Sequence, residues 1–207
     1  PIQSERSYMN SPDRRELILE AAAGCFSHFG YRRTVVDDIA REVGIAKGSI
    51  YLHFKSKEEL FIALLDHERE KVSERFEEII SLDISCSERL RRIVVEFNAI
   101  LDRHPVLARF MTAPASLELP PELLHRECHD KGIFDQHIPR ILENGIRGGE
   151  FRADLDVLAV FPIIISLFHI NVHNRDHKWV DMPPEKFMEA MLGTIFQGIL
   201  NKEGSVR

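Results

Sequence analysis

The 207-residue sequence predicts an all-α protein of about nine helices. A three-helix helix-turn-helix unit is expected over residues 1–55, with a helical bundle over 56–207. Three observations lead there. Apolar residues recur at helical spacing along most of the chain. Ser/Thr residues followed three positions later by an acidic residue stand before several of those runs, as in capping boxes. No segment alternates apolar and polar residues between hairpin turns, so there is nothing from which to build a sheet.

The elements follow in order. Ser11-Pro12 opens the first helix, with a capping hydroxyl and then a proline whose missing N–H costs nothing at the first position. Ile18, Ala22, Cys25, Phe26 and Phe29 keep its apolar stripe, and Gly30 closes it. Thr34 with Asp37 predicts a cap on a second, short helix through Ile39, Ala40 and Val43, ended by Gly44. A third runs from about Ala46 to Phe54. Ser56 with Glu59 opens a long fourth helix carrying Phe61, Leu64, Leu65, Val72, Phe76 and Ile80. Ser85 with Glu88 opens the fifth, through Leu90, Ile93, Val94, Phe97 and Ile100. Breaks are expected at Pro105 and Pro120-Pro121, followed by one amphipathic segment from Leu123 to Ile146 that Gly148-Gly149 ends. Two last helices are expected over 155–175 and 184–201, with Pro162 starting or kinking the first.

Composition narrows the class. With 44% hydrophobic and 29% charged residues, the chain reads as a soluble globular protein rather than a disordered or collagen-like one. The longest apolar run, Val157 to Phe168, is too short to cross a bilayer, and no signal peptide is visible, so a cytoplasmic location without membrane contact is expected. Cys25, Cys86 and Cys128 are odd in number and lack a CxxC pair, which suits reduced thiols. The net charge of −6 conceals an asymmetry: residues 1–57 hold nine Lys and Arg against seven Asp and Glu, the remainder eighteen against twenty-six. A mildly basic end on an acidic body suits one end meeting a polyanion.

The stretch Thr34 to Lys57 carries the chemistry. Two short helices joined by a glycine turn, with the small Ala40 where they cross, describe a helix-turn-helix. In that motif the second helix enters the major groove. Its exposed face then presents Lys47, Ser49, Tyr51 and His53, all hydrogen-bond donors, while Gly48 permits close backbone approach. Thr34 and the N–H groups it would cap read as an anion site, and Lys57 as a phosphate contact at the opposite edge, near Arg32, Arg33 and Lys55.

From Arg15 to Glu68 the chain resembles the DNA-binding segment of the TetR family of bacterial regulators. The matching residues are Phe29-Gly30-Tyr31, Thr34, Asp38-Ile39-Ala40, Gly44, Lys47-Gly48-Ser49, Tyr51, His53-Phe54 and Lys57-Glu58-Glu59-Leu60. The resemblance implies that Thr34, Lys47, Ser49, Tyr51, His53 and Lys57 contact a DNA operator. Ala46 and Leu52 depart from it, standing where a serine and a second tyrosine are frequent; Ala46 stays in the expected contact set. Gly145, Gly149-Glu150-Phe151-Arg152 and Asp154 also resemble the family's joint before its last two helices. The family pairs those helices across a two-fold axis, which implies a homodimer interface including Leu158, Phe168, Phe187, Met191, Ile195 and Ile199.

The rest of the body is read more openly. Phe97, Ile100, Phe110, Met111, Phe134, Ile138, Phe161, Ile164, Ile165 and His169 either line a cavity for an apolar small effector or fill a solid core. His125, His129, His169 and His173, near Cys128 and His177, offer an alternative metal-responsive reading, since imidazoles four apart share a helix face. No cofactor is implied, and no GxxxxGK, HExxH or GxSxG motif suggests an enzyme. The expectation is a repressor that leaves a palindromic operator when an effector binds. The rival is a DNA-bound scaffold recruiting a protein partner.

Overall fold

The computed structural model describes residues 11–128, 134–177 and 179–200. They form ten α-helices: α1 (Ser11–Arg33), α2 (Val36–Val43), α3 (Lys47–Tyr51), α4 (Lys57–Ser81), α5 (Cys86–Arg103), α6 (Pro105–Thr112), α7 (Pro121–Cys128), α8 (Phe134–Arg147), α9 (Val157–His177) and α10 (Pro184–Ile199). A 3-10 turn, Pro114–Leu117, precedes α7. Among the described residues the extended backbone pairs only in an isolated antiparallel bridge, Phe151 with Leu200, so the fold is all-α as expected.

Several boundaries move. The break expected at Pro105 falls at His104 (φ −124°, ψ 65°), between α5 and α6, and Pro105 begins α6 at the first-turn position where proline is at ease. The amphipathic segment after Pro120-Pro121 yields two helices, α7 and α8. Pro162 does not start α9, which begins at Val157 and runs through it. At Gly30 the backbone leaves the helix (φ 77°, ψ 167°), and one further turn follows the kink.

The chain folds as two compact units, one from the described residues of 1–70 and 104–130, the other from those of 71–103 and 131–207. In the first, Phe26, Tyr31 and Phe61 pack ring against ring at 5.1–5.8 Å. Ile39, Ile50 and Phe54 are buried with them. Arg109 of α6 ties this unit together by donating to the Ser27 and Ser116 carbonyls. The carboxylate of Glu68, 5% exposed, accepts the Leu107 N–H at 2.9 Å and so caps α6 from a distant helix.

In the second unit, Phe97, Phe134 and Phe168 have centroids 4.6–5.3 Å apart, with Phe76 5.5 Å from Phe134. The joint before α9 is tight: a Cβ on Gly145 would lie 2.2 Å from the buried ring of Phe151, so only glycine fits there. Next to it Glu150 accepts the N–H groups of Cys86 and Ser87 at the start of α5, while Ser85 takes the Glu88 N–H. Partial burial raises the Glu150 pKa, but the Ser87, Cys86 and Ser85 hydrogen bonds outweigh it and hold the carboxyl below its ordinary value. Cys25 and Cys86 are free and buried. No described helix is long and apolar enough to cross a membrane.

Candidate nucleic-acid interface

The interface is built on the turn between α2 and α3. Gly44 takes a left-handed conformation (φ 73°, ψ 31°) that L side chains rarely adopt, and its N–H closes α2. The next residue, Ile45, donates back to the Ala40 carbonyl at 2.9 Å. Ile39 and Ala40 on α2 and Ile50 on α3 are 0–3% exposed and lock the crossing. The sequence supplies this geometry locally, through a glycine at the turn and apolar residues on the facing sides.

Outward from that wedge, Ala46, Lys47, Gly48, Tyr51 and Leu52 are exposed, while Ser49 and His53 are half-buried. The Lys47 ammonium donates to Asp37 at 2.7 Å, a bond that raises its pKa, and Arg41 pairs with Asp38 at 3.2 Å. Two aspartates therefore stand among the cations of this face. Lys47 and Tyr51 occupy one flank of α3, Ser49 and His53 the other.

Two expected phosphate contacts have other roles. Thr34 is 0% exposed; its hydroxyl lies 2.7 Å from the Gly30 carbonyl and 3.1 Å from the Cys25 carbonyl, so it holds the end of α1 rather than capping α2. The α2 cap position is Val35, without a side-chain bond. Lys57 is a clasp. Its ammonium donates to the carbonyls of Tyr31 (2.9 Å), Thr34 (3.0 Å) and Arg32 (3.4 Å) and lies over the Tyr31 ring. Burial pushes its pKa down. Neither use was legible, because both depend on where α1 ends in space. By contrast the Ser56 cap forms as expected, with the Glu59 N–H on Ser56 Oγ and the Lys55 N–H on the Glu59 carboxylate.

The body residues divide differently from the expectation. Phe97, Ile100, Phe134 and Ile138 are buried in the second unit, with Phe161 and Ile165 half-buried and Ile164 buried. Phe110 and Met111 belong to the first unit, where Arg69 lies over the Phe110 ring. His169, expected in the cavity, is exposed and lines no interior. Phe168 and Ile199, expected at a dimer interface, are 2% and 4% exposed and already covered within the subunit. Leu158 is 86% exposed; Phe187, Met191 and Ile195 are half-buried. The metal-responsive alternative cannot be assembled from what is described. His129 and the side chains of His173, His177 and Cys128 lie outside it, and among the described residues no three His, Cys, Asp or Glu form a metal-binding group.

The sequence missed His137. It is 2% exposed on α8, with Nε2 3.1 Å from Ser73 Oγ and Nδ1 3.4 Å from Glu77. Burial lowers its pKa, with Arg140 acting the same way and Glu77 opposing.

Comparison with known proteins places these features. The profile of bacterial regulatory proteins, tetR family, matches residues 18–64, the span from the α1 core through the interface into α4. The transcriptional repressor KstR2 of Mycobacterium tuberculosis H37Rv is 33% identical over 170 residues, covering 82% of this chain and 80% of that protein. The fatty acid metabolism regulator protein of Bacillus subtilis is 30% identical over 193 residues, covering 89% and 95%. Among solved structures, FadR of B. subtilis in complex with stearoyl-CoA shares the fold, with a TM-score of 0.73 at 24% identity over 89% of this chain and 98% of that one. KstR2 of M. tuberculosis gives 0.61 at 30% identity, covering 94% and 97%. These relatives are transcriptional regulators rather than enzymes, and the chain belongs to the TetR family as a DNA-binding transcriptional repressor.

Proposed function

We propose that the chain acts as a homodimer on a two-fold operator and is released from it by an apolar small effector. In this reading residues 1–55 bind DNA and residues 56–207 hold the effector and the dimer contact. The DNA contacts come from Ala46, Lys47, Gly48, Ser49, Tyr51 and His53, and the location is cytoplasmic.

The observation that carries the homodimer is α9. Leu158, Ala159, Pro162, Ile163, Ser166, His169 and Ile170 are exposed and, at 100° per residue, fall in one arc of about 140°. None of these seven residues carries a carboxylate, ammonium or guanidinium. The opposite side, with Ile164 and Phe168, is already buried. A helix apolar on both sides needs a second cover, and a symmetric copy of the same arc supplies one. Such a pair docks when its two α3 helices match half-sites about 34–36 Å apart or a multiple of that.

Apolar effector chemistry is supported by the aromatic cluster of Phe97, Phe134 and Phe168 within the second unit and by two relatives at 30% identity, one named for fatty acid metabolism and one for ketosteroids. An effector that prefers a dimer with mismatched α3 spacing lowers operator affinity by its differential binding to the two states.

The test uses the purified full chain. Sedimentation gives the subunit number, selection from random duplexes gives the operator, and a long-chain acyl thioester and a steroid acid serve as effector probes. The reading stands if a dimer selects a palindrome and a bound probe weakens that complex. A monomer that binds DNA, or operator affinity unmoved by every probe the protein binds, overturns it.

A further inference from the structure

We propose that Gly48 and Leu52 form an apolar notch on the leading line of α3 that reads the 5-methyl group of a thymine in the operator. The proposal rests on the DNA-reading role of α3 and adds to it a base and an atom. Buried Ile50, 1% exposed, marks the inward side of the helix. At 100° per residue, Gly48 and Leu52 each stand about 160° from it, so they lead the helix outward. Leu52 keeps helical dihedrals (φ −72°, ψ −25°) and stacks one turn beyond Gly48.

Both residues are unexplained by the subunit itself. Leu52 is 85% exposed, whereas the next most exposed large apolar residue described in this unit, Val35, is 48% exposed. A Cβ on Gly48 would meet nothing within 4 Å, and its φ is not left-handed, so neither packing nor backbone conformation requires glycine there. The open space over Gly48 leaves its backbone accessible to a partner outside the subunit. The flanks of α3 carry donors, Lys47 and Tyr51 on one side and Ser49 and His53 on the other. The centre line offers only a backbone and an isobutyl group. Base-pair edges in the major groove present donors, acceptors and one apolar group, the thymine methyl. A phosphate oxygen gains nothing from leucine; a methyl seated over Gly48 against Leu52 loses its water contact.

The experiment uses the full-length wild type, Leu52→Ala and Gly48→Ala, with a duplex selected by the wild type. Each thymine of one half-site is replaced in turn by deoxyuridine, which keeps every donor and acceptor and removes the methyl. One replacement is expected to weaken the wild type about three- to fivefold, the effect of burying a single methyl. The same replacement leaves Leu52→Ala binding unchanged. Gly48→Ala loses operator affinity while its melting temperature stays that of the wild type. The notch is overturned if no thymine methyl matters, or if Leu52→Ala keeps the methyl dependence. A wild type that selects no duplex overturns the reading of α3, and the notch with it.

Discussion

Replacing Lys57 by alanine separates a clasp from a phosphate contact. The ammonium holds three carbonyls at the end of α1, two of them within 3.0 Å, and sits 4.5 Å from the Tyr31 ring centroid. Hydrogen bonds from a charged donor contribute about 1.5–3 kcal/mol each, and the cation over the ring roughly 0.5–1 kcal/mol. The sum overstates the loss, because the site is only half-buried and water reaches the vacated carbonyls. The ammonium also gives up hydration when it docks, which is why burial lowers its pKa. A net loss of about 2–3 kcal/mol is expected, equivalent to about 4–12 °C in melting temperature for a chain of this length. The assay is thermal unfolding of the variant, paired with operator affinity across a salt series. Under the clasp the melting temperature falls while the slope of log K against log salt, measured well below it, stays that of the wild type. An unchanged melting temperature, with a slope shallower by about 0.9 per subunit, would place the ammonium on a phosphate and refute the reasoning.

Three further outcomes are expected. Asp37→Asn frees Lys47 from its 2.7 Å partner and removes a negative charge from the DNA face; affinity for operator and random duplex alike rises and the salt slope steepens. Stability barely moves, since exposed pairs contribute about 0–1 kcal/mol; an unchanged slope on both duplexes counts against this. His137 has a folded pKa below its unfolded value, so the unfolded chain takes the proton first and acid favours unfolding. Its contribution is complete above the unfolded value of about 6.5 and is lost as pH falls toward the folded one. Urea melts at descending pH should therefore show the difference between wild type and His137→Gln shrinking over that window, and a constant difference would be contrary. Gly145→Ala forces a methyl onto the Phe151 ring and is expected to cost about 1–3 kcal/mol or more, partly restored by adding Phe151→Leu; a midpoint equal to wild type would show that the ring can move.

What could be read without coordinates was whatever depends on neighbours a few residues apart. The all-α class, the Gly44 turn, the Ile39–Ile50 wedge and the caps at Ser56 and Ser85 are such features, because periodicity, positive φ and N-terminal capping are local constraints. The outward face of α3 was legible only in part: Lys47, Gly48 and Tyr51 are exposed, whereas Ser49 and His53 are half-buried and Leu52 stands out instead. The sequence was silent where a polar group answers to something far along the chain. Thr34 and Lys57 read as phosphate ligands in isolation; within the subunit both are held by carbonyls at the end of α1. Two helix starts are capped by carboxylates from elsewhere, Glu68 for α6 and Glu150 for α5, across 39 and 64 residues. Phe168 and Ile199 carry the same apolar character as Leu158; only packing put the first two inside and the third in water. Hydrophobicity specifies that a side chain seeks cover. Which surface covers it, and which distant donor meets which acceptor, is settled when the helices pack, because those pairings depend on distances in space and not on spacing along the chain.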